Sequence, residues 1–281
     1  MPQERTPPQP ILLHDRFNEI RTLLLELLNS LSPDDWQQPT AAPLWSVKDV
    51  ALHLLGGDLS NLSRRRDQHR PPPDSPIDSY QDLVAFINRH NADWVRASRR
   101  ISPHLLCDLL AFTGPQLATY FASLDPFALG DPVDWAGPDP APVWLDIARE
   151  YTEQWHHQQQ IRDATHRPPL YTPHLFALVL DTFLRAMPHS YSNTAAPEGT
   201  TIHIEITGEA GNQWFLERSS TSWELLTATS TPPTTHISIP QDTAWRLFTK
   251  GIRPEQALSH ATITGDPAMA PPFFHTLSVL A

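Results

Sequence analysis

The stretch EYTEQWHHQQQIRD, residues 150–163, sets two glutamates and two adjacent histidines into an otherwise ordinary helical run. Carboxylates and imidazoles are the oxygen and nitrogen ligands of zinc-type sites. On a helix, residues four apart share a face, so Glu153 and His157 can converge on one ion, while His156 is turned about 100° away from His157. Glu153 and His156, three apart, can converge too, as the Glu-x-x-His pairs of di-iron bundles do. Spacing alone leaves both pairings open. A site that does chemistry needs about three protein ligands and an open position, so a further ligand must come from another helix. His53 in VALHLLGG is the candidate, because a histidine on an aliphatic face needs a polar partner when buried, whether a metal or a carbonyl.

The remaining reactive side chains offer less. The single cysteine, Cys107, excludes an internal disulfide and a cysteine-based zinc framework, and its setting in HLLCDLL reads as a buried thiol. Arg64, Arg65 and Arg66 follow an apolar helical segment and read as its solvated end. His14, His69, His90, His104 and His166 fall in or near helices, His174 and His189 flank a later helix, and His203, His236, His260 and His275 lie beyond it. These read as surface or interface residues, and the three glutamines after His157 as a wet helix face.

The elements that must position these groups are legible in the periodicity. ILLHDRFNEIRTLLLELLNSL places Ile11, Leu12, Phe17, Ile20, Leu23, Leu24 and Leu27 near the spacing of one buried helical face. Ser46 and Asp49 form a near capping box at the start of a second helix, expected to run to about His69, where RPPPDSP must stop it. Further helices follow in SYQDLVAFINRHNADWVRASRRI and in SPHLLCDLLAFTGPQLATYFASL, the latter interrupted near Gly114-Pro115. A proline-rich loop, DPVDWAGPDPAP, leads to VWLDIAREYTEQWHHQQQIRDAT. Such a series of helices with short connections predicts a bundle whose functional groups point inward.

After HRPPLYTP the pattern changes. A helix, HLFALVLDTFLRAM, precedes short alternating runs, TTIHIEITGE, NQWFLERSS, SWELLTA and THISIP, which read as an antiparallel sheet. DTAWRLFTKG and PEQALSH return to helix, ATITG reads as a strand, and a last helix is expected through PPFFHTLSVL. The fold class is therefore α+β with two domains: a four-helix bundle over residues 1–170 and a small domain over 171–281, its antiparallel sheet covered on one face.

Composition sets the outer bounds. The 281 residues suit two cores, and 30 prolines against 10 glycines give stiff connections. A net charge of -11 and a pI near 5.6 argue against nucleic acid or an anionic membrane as partner. The start, MPQERTPPQP, has no basic-then-apolar signal pattern, and no apolar run approaches a membrane span. A soluble cytoplasmic protein is expected, as a monomer or homodimer.

Together, LWSVKDVALHLLGG and EYTEQWHHQQQIRDA resemble the signature segments of the DinB-like metalloprotein superfamily, and more narrowly the maleylpyruvate isomerase family of mycothiol-dependent enzymes. Trp45, Ser46, Asp49 and His53 fit that family's Trp-Ser/Thr-x-x-Asp-x-x-x-His segment, and Glu153 and His157 its Glu-x-x-x-His pair. The resemblance implies a DinB-like bundle holding a divalent metal, usually zinc, on His53, Glu153 and His157, with His156 off the ion. It also implies a second domain similar to sterol carrier protein 2, which DTAWRLFTKG and ATITGDPAMA resemble. A cation with an open position can bind a low-molecular-weight thiol such as mycothiol or bacillithiol and lower its pKa, so the protein needs no nucleophilic cysteine. In an isomerase the thiolate would add to a cis-alkene, allow rotation and leave; in a transferase it would stay attached. The substrate is then small, electrophilic and often anionic, and Arg246 in AWRLFTKG is the implied cation for charge developing on its carbonyl.

Three functions are thus in view. The first is a metal-dependent, thiol-dependent isomerase or S-transferase acting in the cleft between the domains. The second is a non-catalytic carrier holding an apolar molecule under the sheet of residues 200–240. The third is a metal-dependent hydrolase, which needs a general base near the open position; Asp58, five residues after His53, is not obviously on the same face.

Overall fold

A computed structural model of the chain describes residues 5–13 and 15–279. Its described residues divide into two compact units: a helical unit of residues 13, 15–125 and 150–170, and a sheet unit of residues 5–12, 126–149 and 171–279. The segment 126–149, read on sequence with the bundle, groups with the sheet unit. Among the described residues no helix is long and apolar enough to cross a membrane.

The helical unit contains α1 (Arg16–Asn29), α2 (Val47–Ser60), α3 (Tyr80–Ser98), α4 (Pro103–Ala122) and, from Glu150 on, α5 (Val143–Ala164). Leu24 and Leu28 of α1, Val50 and Leu55 of α2, Leu106 and Leu110 of α4 and Ile161 of α5 share one buried cluster. Each such side chain contributes roughly 1.5–3 kcal/mol on burial. The helix starts are written locally. Ser79 caps α3, and Ser102 caps α4 with Pro103 in its first turn. At α2 the capping box is complete: the Asp49 N–H donates to Ser46 Oγ at 3.3 Å and the Ser46 N–H to Asp49 Oδ2 at 3.1 Å.

Two expectations need correction here. After Ser60 the chain widens into a π-helical turn, Asn61–Arg66, and stops short of His69. The helix α4 runs unbroken through Gly114 and Pro115, because Leu110, Leu117, Ala118 and Phe121 are buried on both sides of the proline and hold the two halves in line. Burial there outweighs the lost backbone hydrogen bond.

The sheet unit begins with β1 (Arg5–Thr6) and holds a hairpin, β2 (Leu129–Pro132) and β3 (Pro140–Pro142), inside the stretch that reads as a plain loop. Helices α6 (Pro173–Leu184) and α7 (Met187–Ser190) precede β4 (Thr201–Thr207), β5 (Asn212–Arg218), β6 (Trp223–Leu226), β7 (Ala228–Thr229), β8 (Thr235–Pro240) and β9 (Thr262–Gly265). Five strands form a sheet of order β6-β5-β4-β8-β9, in which only the β4/β8 pair is parallel. Alternation sends Ile202, Ile204, Ile206, Ile237 and Ile239 to the buried face. Helices α8 (Gln241–Phe248), α9 (Pro254–Ser259) and α10 (Pro271–Phe274) complete the unit. The last is only four residues long, against the longer helix expected: two prolines start it, and by Ser278 the backbone N–H donates to Phe248 O instead. The fold is thus α+β, an N-terminal helical region followed by an antiparallel-rich sheet.

Candidate metal centre

The first segment works as a device for aiming His53. The capping box sets where α2 begins, and Asp49 is further held by Arg99, whose Nε and Nη2 donate to its two oxygens at 2.9 Å each. Burial pushes the Asp49 carboxyl up, but the Arg99 guanidinium and the Ser46 N–H bring it below its ordinary 3.8. One helical turn later comes His53, with the Trp45 ring lying 4.9 Å from its own, centroid to centroid. The tryptophan, serine and aspartate of the motif therefore fix the position of the histidine.

From α5, Glu153 and His157 face the same point, with His157 Nε2 3.2 Å from Glu153 Oε2. The His53 and His157 rings meet edge to face at 4.7 Å. One donor atom from each of His53, Glu153 and His157 lies within 4.8 Å of the others, and among the described residues no other three His, Cys, Asp or Glu side chains do so. Burial, and next the neighbouring His157, lower the His53 pKa to about 3 against the opposing pull of Glu153, so its ring is neutral at pH 7 and keeps a lone pair to offer.

The donor set fits a divalent cation. Gln160 Oε1 is 2.9 Å from His157 Nδ1, and a carbonyl oxygen only accepts, so that nitrogen carries the hydrogen and Nε2 is left to face the carboxylate. An imidazole lone pair and a carboxylate oxygen at 3.2 Å belong together only with a proton or a cation between them. His53 brings the third donor, its ring nitrogens making no hydrogen bond to another described residue. Two histidines and a glutamate are the ligands of a zinc site with an open position.

His156 is not part of this group. It is buried rather than on the surface, its Nε2 is 3.1 Å from Gln160 Nε2, and burial, followed by the effect of His157, lowers its pKa to about 3. The glutamines are the clearest miss. Gln158 and Gln159 are 0% and 1% exposed, not a wet face. Gln158 is bonded at both ends, its Nε2 donating to Ile20 O and its Oε1 accepting from Arg162, while Gln159 Oε1 accepts from the Leu170 N–H and its Nε2 is buried without a partner. Trp155 is packed away as well, its Nε1 donating to Leu170 O at 3.0 Å.

Asp58 lies inside the bundle and accepts from Arg21 Nη2 at 2.7 Å and Thr113 Oγ1 at 2.5 Å, which engages both of its oxygens. Cys107 is buried in α4, and burial pushes its thiol above the usual range. Arg246 stands in the last turn of α8, in the sheet unit. Its Nε donates to Asp242 at 3.0 Å, and its guanidinium lies 4.4 Å over the Trp245 ring. Of the other histidines, His69, His90, His104, His166, His174, His189, His260 and His275 are exposed, while His203 and His236 stack at 4.5 Å on the open face of the sheet. His14 lies outside the described residues.

A search of the solved structures finds a mutant form of the mycothiol-dependent maleylpyruvate isomerase, with a TM-score of 0.50 and 11% identity over 90% of this chain and 93% of that one. A second structure of the mycothiol-dependent maleylpyruvate isomerase matches with a TM-score of 0.48 and 12% identity over 84% and 88% of the two chains. The first likeness shows a shared fold. A search of the curated proteins finds no match. The sequence family described as the mycothiol maleylpyruvate isomerase N-terminal domain matches residues 17–162, just over half of the chain, a span that holds all three clustered side chains. The chain belongs to the mycothiol maleylpyruvate isomerase N-terminal domain family.

Proposed function

We propose that the protein is a divalent-metal-dependent enzyme that uses a low-molecular-weight thiol, mycothiol in the first instance, to isomerise a small electrophilic alkene in the manner of a maleylpyruvate isomerase, or to transfer the thiol to such a substrate. The observation that carries the proposal is the convergence of His53, Glu153 and His157 inside the bundle. These three residues would hold the ion, most suitably zinc. When bound, the metal supplies a Lewis acid that lowers the pKa of a thiol enough to make thiolate at neutral pH.

The chain's own residues do the rest. Burial holds the His53 ring neutral, so no proton competes for its lone pair. Glu153 offsets part of a dication's charge. Cys107, buried and with its thiol pushed up, is unsuited as nucleophile, which agrees with a nucleophile brought from outside. Arg246 enters from the family resemblance as the group that steadies negative charge on the substrate. Asp242 and Trp245 hold its guanidinium in place.

The two competing functions fit less well. Both oxygens of Asp58 are engaged by Arg21 and Thr113, so it is poorly placed to serve a hydrolase as general base. Under the sheet, Ile202, Ile204, Leu216, Ile237, Ile239 and Phe248 are all 0% exposed, a close packing that speaks against an apolar cargo beside them.

Metal analysis of the purified protein tests the proposal together with turnover of an electrophile panel with and without mycothiol or bacillithiol. About one divalent ion per chain, lost in His157→Ala, and thiol-dependent conversion are expected. A metal-free wild type, or metal content unchanged in His157→Ala, overturns the metal centre; conversion that ignores the thiol overturns the reaction class.

A further inference from the structure

We propose that Gln160 is the positioning residue of this centre: its side-chain amide sets the ring tautomers of His157 and His156 and so keeps His157 Nε2 available as a donor beside Glu153 and His53. The inference rests on reading those three residues as a metal site, and its test separates the two.

Gln160 lies three residues after His157 and four after His156, so one side chain on the same helix face reaches both rings. Its Oε1 is 2.9 Å from His157 Nδ1, and its Nε2 is 3.1 Å from His156 Nε2. An amide has one accepting end and one donating end. The hydrogen bond at one imidazole nitrogen decides the protonation of the other. In this orientation His157 Nδ1–H donates to the amide oxygen and Nε2 is the ligand atom. With the amide turned over, its NH2 would meet His157 Nδ1, the ring would carry its hydrogen on Nε2, and an N–H would point at Glu153 where the ion belongs. One rotation of a neutral side chain thus separates a donor site from a blocked one.

His156 gains a role from the same geometry. Its Nε2 accepts the amide hydrogen, while its Nδ1 is buried with no hydrogen-bond partner. An unpaired buried polar atom is costly, and an apolar residue used only for packing would avoid that cost. What His156 supplies instead is the acceptor that holds the Gln160 amide the right way round. Two adjacent histidines are then a ligand and the outer brace of a ligand, joined through Gln160. Such outer partners fix ring orientation and raise ligand basicity in metal sites generally.

The test uses the full chain. Zinc affinity is measured by competition with a chelator for wild type, Gln160→Leu and Gln160→Glu, and cobalt is substituted to read the ligand field by absorption. Gln160→Leu should bind zinc about 10–100-fold more weakly. Gln160→Glu keeps an acceptor for His157 Nδ1–H and should recover most of that loss with a cobalt spectrum like wild type, a rescue that a merely space-filling role would not produce. Histidine 15N NMR of the zinc-loaded wild type should show His157 protonated at Nδ1 and His156 unprotonated at Nε2. Wild-type affinity in Gln160→Leu, or His157 with no hydrogen on Nδ1, overturns this inference and leaves the metal centre standing. A wild type that binds no zinc overturns both. Should Gln160→Leu fail to fold, the wild-type tautomers decide alone.

Discussion

Replacing Asp58 by alanine should cost far more stability than replacing Asp58 and Arg21 together by apolar residues. In the bundle Arg21 Nη2 donates to Asp58 Oδ1 at 2.7 Å, and both side chains are at most 5% exposed. The Arg21 Nε and Nη1 atoms are already buried without partners. The fit around them is close: a Cβ on Gly114 would stand 2.7 Å from Arg21 Cγ. Asp58→Ala strands a buried cation, a loss of about 3–5 kcal/mol. At about 2–4 °C per kcal/mol for a protein of this size, the melting temperature should drop on the order of 10 °C. Burial raises the Asp58 pKa, and the opposing pull of Arg21 and Thr113 does not cancel it. The folded state therefore binds this proton more tightly than the unfolded chain, so the contribution of Asp58 is greatest below 3.8 and falls as pH rises through its folded pKa. An ionised pair that costs this much to bury should be replaceable, and Arg21→Met with Asp58→Leu should match or exceed wild-type stability at pH 7 while keeping zinc binding and turnover. Urea titration and calorimetry read the stabilities. A single variant within about 1 kcal/mol of wild type, or a double variant that falls as far as the single, refutes the reasoning.

Two further predictions concern what positions His53. Asp49 has a folded pKa below 3.8, so its contribution is present above 3.8 and is lost as pH falls through the folded value. Arg99→Ala should accordingly be less stable than wild type at pH 7, with the gap closing on acidification; a gap that does not depend on pH contradicts this account. Neighbouring glycines of α2 should respond oppositely to alanine. A Cβ at Gly56 would lie 2.6 Å from Trp94 Cδ1, whereas one at Gly57 meets nothing within 4 Å. Gly56→Ala should lose about 1–3 kcal/mol and Gly57→Ala gain about 0.5–1 kcal/mol, since both share the helical propensity gain and only the first overpacks. Thermal melts of the two variants check the sign of each.

Much of the site was legible from local chemistry. Four-residue spacing puts Glu153 and His157 on one helix face wherever that helix packs, and Ser46 with Asp49 starts α2 through bonds made within four residues. Alternation likewise marked the buried isoleucines of β4 and β8. Gln160 could have been found the same way, since its offsets from His156 and His157 are helical, but a run of glutamines reads as solvated until a partner for each amide is known. Nothing in the sequence placed Ile20 O beside Gln158, Leu170 N beside Gln159, or Arg21 and Thr113 around Asp58. Nor could it decide that α4 would pass through Pro115, where burial on both sides overrides a local rule. Local bonding determined the elements and the face each ligand occupies. Which side chains meet across helices, and whether a polar group is buried or wet, depend on contacts between residues distant in the chain, and only the packed tertiary structure settles those.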